Sequence, residues 1–158
     1  GYEDDTMNVD EYYNKAKMHL KRGEHDQALL SLQEGYSKSR TNPRLNKLLA
    51  LLSFKGKNYD TAVEVLGRYL EYDPDVADFW FYLSIAQKRL GKYANALETG
   101  TKLFELNPDN VHNLINLADI SRILENTDSA LYYSKKALDI EPNNKNALKL
   151  VELLAKQK

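Results

Sequence analysis

The sequence predicts an all-α array of stacked helix pairs. Three observations carry that expectation. Small residues recur every 34 positions at Ala28, Ala62, Ala96 and Ala130, and again at Ala16, Ala50, Ser84 and Ala118. An apolar series, Leu29, Val63, Leu97 and Leu131, keeps the same register. Turn residues punctuate the spaces between them, with Gly23, Gly56 and Gly91 in mid-unit and Pro74, Pro108 and Pro142 at unit ends. A fixed period of this length marks a repeat whose single unit cannot bury its own apolar face, so neighbours must stack. The small residues have a packing reason: two helices approach closely only where a side chain barely extends beyond Cβ.

Totals narrow the function. A chain of 158 residues is one domain or one array with a continuous core. There is no cysteine, which removes disulfides, thiolate metal sites and a cysteine nucleophile. The formal charge of −1 argues against general attraction to nucleic acid or anionic membranes. No membrane-spanning run and no signal-type apolar segment is present, and the Gly1 start points to a processed or excised chain. A soluble protein is expected, and cytoplasm and periplasm suit it equally.

Taken in order, residues 1–8 are acidic and aperiodic, and predict a disordered lead-in. Glu3, Asp4 and Asp5 read there as solvated charge rather than a cation site. The unit at 9–42 has Tyr12, Ala16 and Leu20 at helical spacing, a stop at Gly23, and a second helix capped by Asp26 with Ala28, Leu29, Leu32 and Tyr36 on one face. The unit at 43–76 repeats the plan with Leu49, Ala50 and Leu52, a break at Gly56 and Asn58, then Asp60, Ala62, Val63, Leu66 and Leu70, closed by Pro74. The unit at 77–110 is the most regular: Trp80, Leu83, Ser84 and Ala86, then Gly91 and Tyr93, then Ala96, Leu97 and Phe104. The unit at 111–144 has Leu114, Leu117, Ala118 and Ile120, then Ala130, Leu131, Ala137 and Leu138. Asn126 stands at its inter-helix turn, where the tolerance of asparagine for left-handed geometry substitutes for glycine. Residues 145–158 predict a capping helix, with Ala147, Leu148, Val151 and Leu154 inward and Lys149, Glu152, Lys156 and Lys158 on wet faces.

These residues resemble the tetratricopeptide repeat, in four in-register copies covering about nine-tenths of the chain. Trp80, Leu83, Gly91, Tyr93, Ala96 and Pro108 carry the match in the third unit. Leu49, Tyr59, Ala62 and Pro74 carry it in the second, and Leu117, Ala130, Ala137 and Pro142 in the fourth. The first unit departs most, with Lys15 for leucine, Gly35 for alanine and Arg40 for proline. The resemblance implies one domain over 9–158, a right-handed superhelical solenoid of four helix-turn-helix units plus the capping helix. It further implies that front helices line a concave groove through positions two, five, nine, twelve and thirteen of each unit.

Under that resemblance, position five places Tyr13, Lys47, Phe81 and Ile115 in the groove, and position nine places Lys17, Leu51, Ile85 and Asp119. Positions twelve and thirteen add Lys55, Lys88, Arg89 and Arg122, beside Leu20, Lys21, Phe54 and Ile123; position two adds Asp10, Arg44, Asp78 and His112. The expected partner-binding set is Tyr13, Lys17, Lys47, Leu51, Lys55, Phe81, Ile85, Lys88, Arg89, Ile115 and Arg122. Apolar members would anchor a partner's side chains, and the basic ones would steer acidic segments. A bland alternative packs the apolar residues between front helices and leaves the charges wet. Members of the family that clamp a C-terminal carboxylate need a Lys-Asn-Asn-Lys-Arg set. Here those positions hold Tyr13, Lys17, Leu48, Asp78 and Tyr82, or one unit on, Lys47, Leu51, Tyr82, His112 and Asn116. Neither set fits.

No catalytic or cofactor constellation is visible. His19, His25 and His112 lack the i, i+4 pairing of a zinc helix; the first two read as core or edge residues, and His112 as a groove residue. Asp73, Asp75 and Asp78 lack the glycine and glutamate of a calcium loop and read as caps around Pro74. Trp80 reads as core. The expected function is a non-enzymatic scaffold, without cofactor or metal, that binds an acidic and apolar peptide or partner helix. Nucleic acid and membrane insertion are not expected. The alternative is an assembly element that self-associates or stacks on further repeats of a larger protein.

Overall fold

The computed structural model describes residues 8–157, so the lead-in expected at 1–8 lies outside the described residues save for Asn8. The described residues form nine helices and no strand. They are α1 (Val9–Lys21), α2 (His25–Lys38), α3 (Pro43–Lys55), α4 (Tyr59–Tyr72), α5 (Ala77–Arg89), α6 (Tyr93–Leu106), α7 (Val111–Ile123), α8 (Thr127–Ile140) and α9 (Lys145–Ala155). The chain divides into two compact units, Gly1–Pro74 and Asp75–Lys158. In the first, α1 packs on α2, α2 on α3 and α3 on α4, with α1 beside α3. In the second, α5 to α9 pack in sequence, and the front helices α5, α7 and α9 form a row.

Asparagines start most front helices. Asn8, Asn42, Asn110 and Asn144 each accept the backbone N–H three residues on, at 3.0, 3.0, 3.1 and 3.0 Å. That satisfies one of the donors a helix start leaves bare. Helix α5 is the exception, because Val76 precedes it and supplies no side-chain cap. The aspartates expected to cap there do not: Asp73 ends α4, and Asp78 lies inside the first turn of α5. Asp26 and Asp60 likewise sit inside the first turns of α2 and α4, behind Glu24 and Asn58. From there their carboxylates face the positive end of each helix rather than capping it.

The inter-helix turns share one geometry. Gly23, Lys57, Gly91 and Glu125, each 34 residues from the next, take φ of 73°, 63°, 78° and 64°. The N–H of the following residue closes each turn onto a carbonyl five residues back: Glu24 to His19 at 2.9 Å, Asn58 to Ser53 at 2.8 Å, Lys92 to Gln87 at 2.9 Å and Asn126 to Ser121 at 2.8 Å. This is the closing bond of a glycine-type helix terminus. The left-handed residues of the second and fourth repeats are therefore Lys57 and Glu125, not Gly56 and Asn126. Asn126 instead caps α8, accepting the Ser129 N–H at 3.2 Å.

All eight small residues of the two series are 0% exposed. Ser84, the one polar member, donates to the Ala96 carbonyl at 2.7 Å, which joins the small positions of α5 and α6 directly. Gly35 replaces the usual alanine because Tyr12 and Leu45 fill the space: an added Cβ would lie 2.9 Å from Tyr12 Cβ. Trp80 is only half-buried, and its neighbour Phe79 takes the fully buried place on α5. His19 is half-buried with its Nδ1 3.1 Å from Glu24, whereas His25 is exposed. Helix α9 does more than cap. It packs on both α7 and α8 and leaves Leu148 and Leu153 at 48% and 37% exposure, so its outer faces are not wholly polar.

In the first unit, α2 and α4 are tied by a charged cluster. The Tyr36 hydroxyl donates to Glu64, whose carboxylate also accepts from Arg68 Nε at 3.2 Å, with Arg40 at 4.0 Å. Burial, then the Glu64 carboxylate, pushes the Tyr36 phenol up to about 12. The hydrogen bond from Tyr36 leads in holding Glu64 below the usual carboxylate range.

Lys57→Gly and Glu125→Gly should each stabilise the protein by about 0.5–1 kcal/mol, since glycine relieves the left-handed strain at some entropic cost. Urea titration of each variant beside the wild type checks this. For Tyr36, the folded chain holds the phenol proton more tightly than the unfolded chain. Its contribution is therefore complete below pH 10, the ordinary phenol value, and is lost as pH rises toward about 12. Tyr36→Phe should cost about 1 kcal/mol at pH 8, and thermal melts should find that gap closing between pH 10 and 12.

Candidate functional site

The second unit contains a hollow of about 400 Å³ lined by its three front helices. Helix α5 supplies Phe81, Ile85 and Lys88; α7 supplies His112, Ile115, Asn116, Asp119 and Arg122; α9 supplies Asn146, Lys149, Leu150 and Leu153. Their spacing explains the convergence. Residues three and four apart share a helix face, so positions two, five, nine and twelve of each front helix make one stripe. Stripes of three neighbouring helices then meet across the same space.

The floor is apolar and the walls are charged. Phe81, Ile85 and Ile115 are half-buried, and Leu150 is buried. Lys88, Arg122 and Lys149 share this lining with a single carboxylate, Asp119. Asp119 takes Arg122 at 2.9 Å and Lys88 Nζ at 3.4 Å. The Phe81 ring lies 6.3 Å from the His112 ring, centroid to centroid.

Behind the floor runs a buried polar seam. Thr99 donates to Gln87 Oε1 at 2.7 Å, and Asn113 donates to the Gly100 carbonyl at 2.9 Å. Asn116 Nδ2 donates to Ser84 Oγ at 2.8 Å. The single Ser84 proton goes to Ala96, so the hydroxyl can only accept from Asn116. That fixes the amide: Asn116 turns its nitrogen to Ser84 and keeps Oδ1 as an acceptor.

Five of the eleven residues expected to bind a partner line this hollow: Phe81, Ile85, Lys88, Ile115 and Arg122. His112, expected in the groove, lines it too. Arg89 is exposed at the end of α5 and does not. The other five belong to the first unit. Tyr13 is half-buried there, with the Arg44 guanidinium 4.3 Å and Lys17 Nζ 5.9 Å from its ring centroid. Arg44 also reaches Asp10 at 3.4 Å. Leu51 is half-buried and Lys47 exposed. Lys55 lines another hollow of about 350 Å³ at the helix turns, with His25, Asp26, Leu29 and Leu52.

The contribution of α9 went unread in the sequence, where Lys149 stood as a solvated lysine. The signal was available. Counting on in 34s places Asn146, Lys149 and Leu153 at positions two, five and nine of a fifth front helix.

Fold and hollow together define an all-α repeat protein of paired helices. Models of the tetratricopeptide repeat match residues 19–82 and 111–144. The chain belongs to the tetratricopeptide-repeat family. Among solved structures it is similar to MamA from AMB-1, with a TM-score of 0.80 and 23% identity over 93% of this chain and 80% of that one. A second MamA structure gives 0.82 and 16% identity over 94% and 81%. YrrB, described as a TPR protein with an unusual peptide-binding site, gives 0.78 and 20% identity over 89% and 73%.

Ser84→Ala should cost about 1–2 kcal/mol by stranding the Asn116 amide. Pairing it with Asn116→Leu, the residue found at Leu48 and Leu150 in the same register, should recover most of the loss. Urea titration of the single and double variants checks both.

Proposed function

We propose that this protein is a non-enzymatic interaction scaffold, and that the second-unit hollow takes an apolar side chain with acidic neighbours from a partner peptide or helix. One observation carries the reading: an apolar floor and three cations to one carboxylate share a space of about 400 Å³. Aromatic anchors in such a space dominate binding energy, and surrounding charge raises the rate of encounter. The peptide-binding site in the printed description of YrrB supports the reading by fold analogy. Among the described residues no helix is long and apolar enough to cross a membrane. Assembly of the chain with itself is the competing use of the repeat.

An end-capped decapeptide of Leu, Phe, Asp and Glu tests the proposal by calorimetry. Phe81→Ala should weaken its binding by about tenfold or more. Lys149→Glu should slow association and weaken its salt dependence. Affinity unchanged in both variants would move the site away from the hollow. Sedimentation across concentration addresses the competing use: a concentration-independent monomer would speak against self-assembly.

A further inference from the structure

The hollow brings its own carboxylate. Asp119, 30% exposed, sits between Lys88 and Arg122, 17% and 29% exposed, and both of its oxygens are engaged. Two buried polar atoms in the same lining have no protein partner among the described residues: Arg122 Nε, a donor, and Asn116 Oδ1, an acceptor. Asn116 is 3% exposed, and its amide orientation is set by Ser84. Both atoms are shut off from solvent in the free chain, and such atoms are costly to bury unless something meets them.

A group that meets both as the Asp119 ion pairs open must carry an anion or acceptor for the guanidinium edge and an N–H for the amide oxygen. An aspartyl or glutamyl residue within a peptide has both, in its side-chain carboxylate and its backbone N–H. Bidentate capture of a carboxylate is the strong mode of arginine, and the bond to Asp119 uses Nη2 while Nε is left over. Its apolar neighbour in the peptide would then rest on Phe81, Ile85 and Ile115.

Building on the peptide-binding reading above, we propose that Asp119 is an internal stand-in for a partner's carboxylate. It holds Lys88 and Arg122 in position until an acidic residue of the partner takes their charge. Two poorly solvated cations without a counter-charge would repel one another and lose hydration, so the stand-in keeps the hollow formed. The same contact makes the hollow selective. A lone acid exchanges one ion pair for another and gains little. A peptide gains only where its N–H also reaches Asn116 Oδ1 and its apolar side chain fills the floor.

The test is fluorescence anisotropy with a labelled, end-capped decapeptide of Leu, Phe, Asp and Glu, and with its counterpart carrying Asn and Gln. Wild type is compared with Asp119→Asn, and with Asp119→Ser so that the result does not rest on the asparagine amide. Both variants should bind the acidic probe about three- to tenfold tighter, with steeper salt dependence, and gain nothing for the neutral probe. Each should melt several degrees below the wild type, since two part-buried cations lose their counter-charge, and binding is compared at a temperature where all three proteins are folded. Unchanged or weaker binding of the acidic probe, or an equal gain for both probes, overturns the stand-in role while peptide binding survives. No binding of either probe by any of the three proteins overturns both.

Discussion

Close approach of paired helices is the constraint on which the rest of this structure depends. At eight positions the side chain is a methyl or a hydroxymethyl group, and all eight are sealed from solvent. A larger residue there would push the helices of a pair apart by more than the turns could follow, because each turn is closed by a bond spanning five residues. Once the spacing is set, the alternation of 13-residue front helices with 14-residue back helices follows from α1 to α8. So does the alignment of positions two, five, nine and twelve along neighbouring front helices of the second unit.

The repeat register was legible in the sequence because burial acts on residue size, and size is written at each position. Local backbone roles were less so. Composition placed a break at Gly56 and Asn58 and pointed to Asn126 for left-handed geometry, since asparagine tolerates positive φ. The register of the closing bond decides instead, and it falls on Lys57 and Glu125. The caps show the same lesson. Aspartates at 26 and 60 are attractive cap residues, but the cap positions fall two residues earlier, at Glu24 and Asn58, and asparagine does the capping of most front helices. Where the chain must satisfy a hydrogen-bond geometry, residue preference yields.

The site was half legible for a related reason. The resemblance to the tetratricopeptide repeat assigned Phe81, Ile85, Lys88, Ile115 and Arg122 to one groove, and the structure gathers those five. Helix α9 was read by composition, as a lysine-rich cover, and its place in the row was lost. Trp80 misled in the opposite sense: its size suggested the deepest position, yet Phe79 occupies it. A phenyl ring carries no N–H to satisfy, so full burial costs it nothing in hydrogen bonding, whereas an indole keeps a donor that must be met.

The polar seam of the second unit connects the packing constraint to the hollow. An alanine at position 84 would serve the close approach as well as serine does, as Ala16, Ala50 and Ala118 show. Serine adds a hydroxyl that must be satisfied, and it is, by Ala96 on one side and Asn116 on the other. Through that chain of bonds the helix crossing dictates which end of the Asn116 amide is held by Ser84. Buried polar networks of this kind are valuable when complete and costly when broken. Here the network is complete at Ser84 and ends in an unpartnered acceptor, the Oδ1 of Asn116, a residue that lines the hollow. The α5–α7 packing and the recognition proposed for the hollow therefore rest on the same side chain.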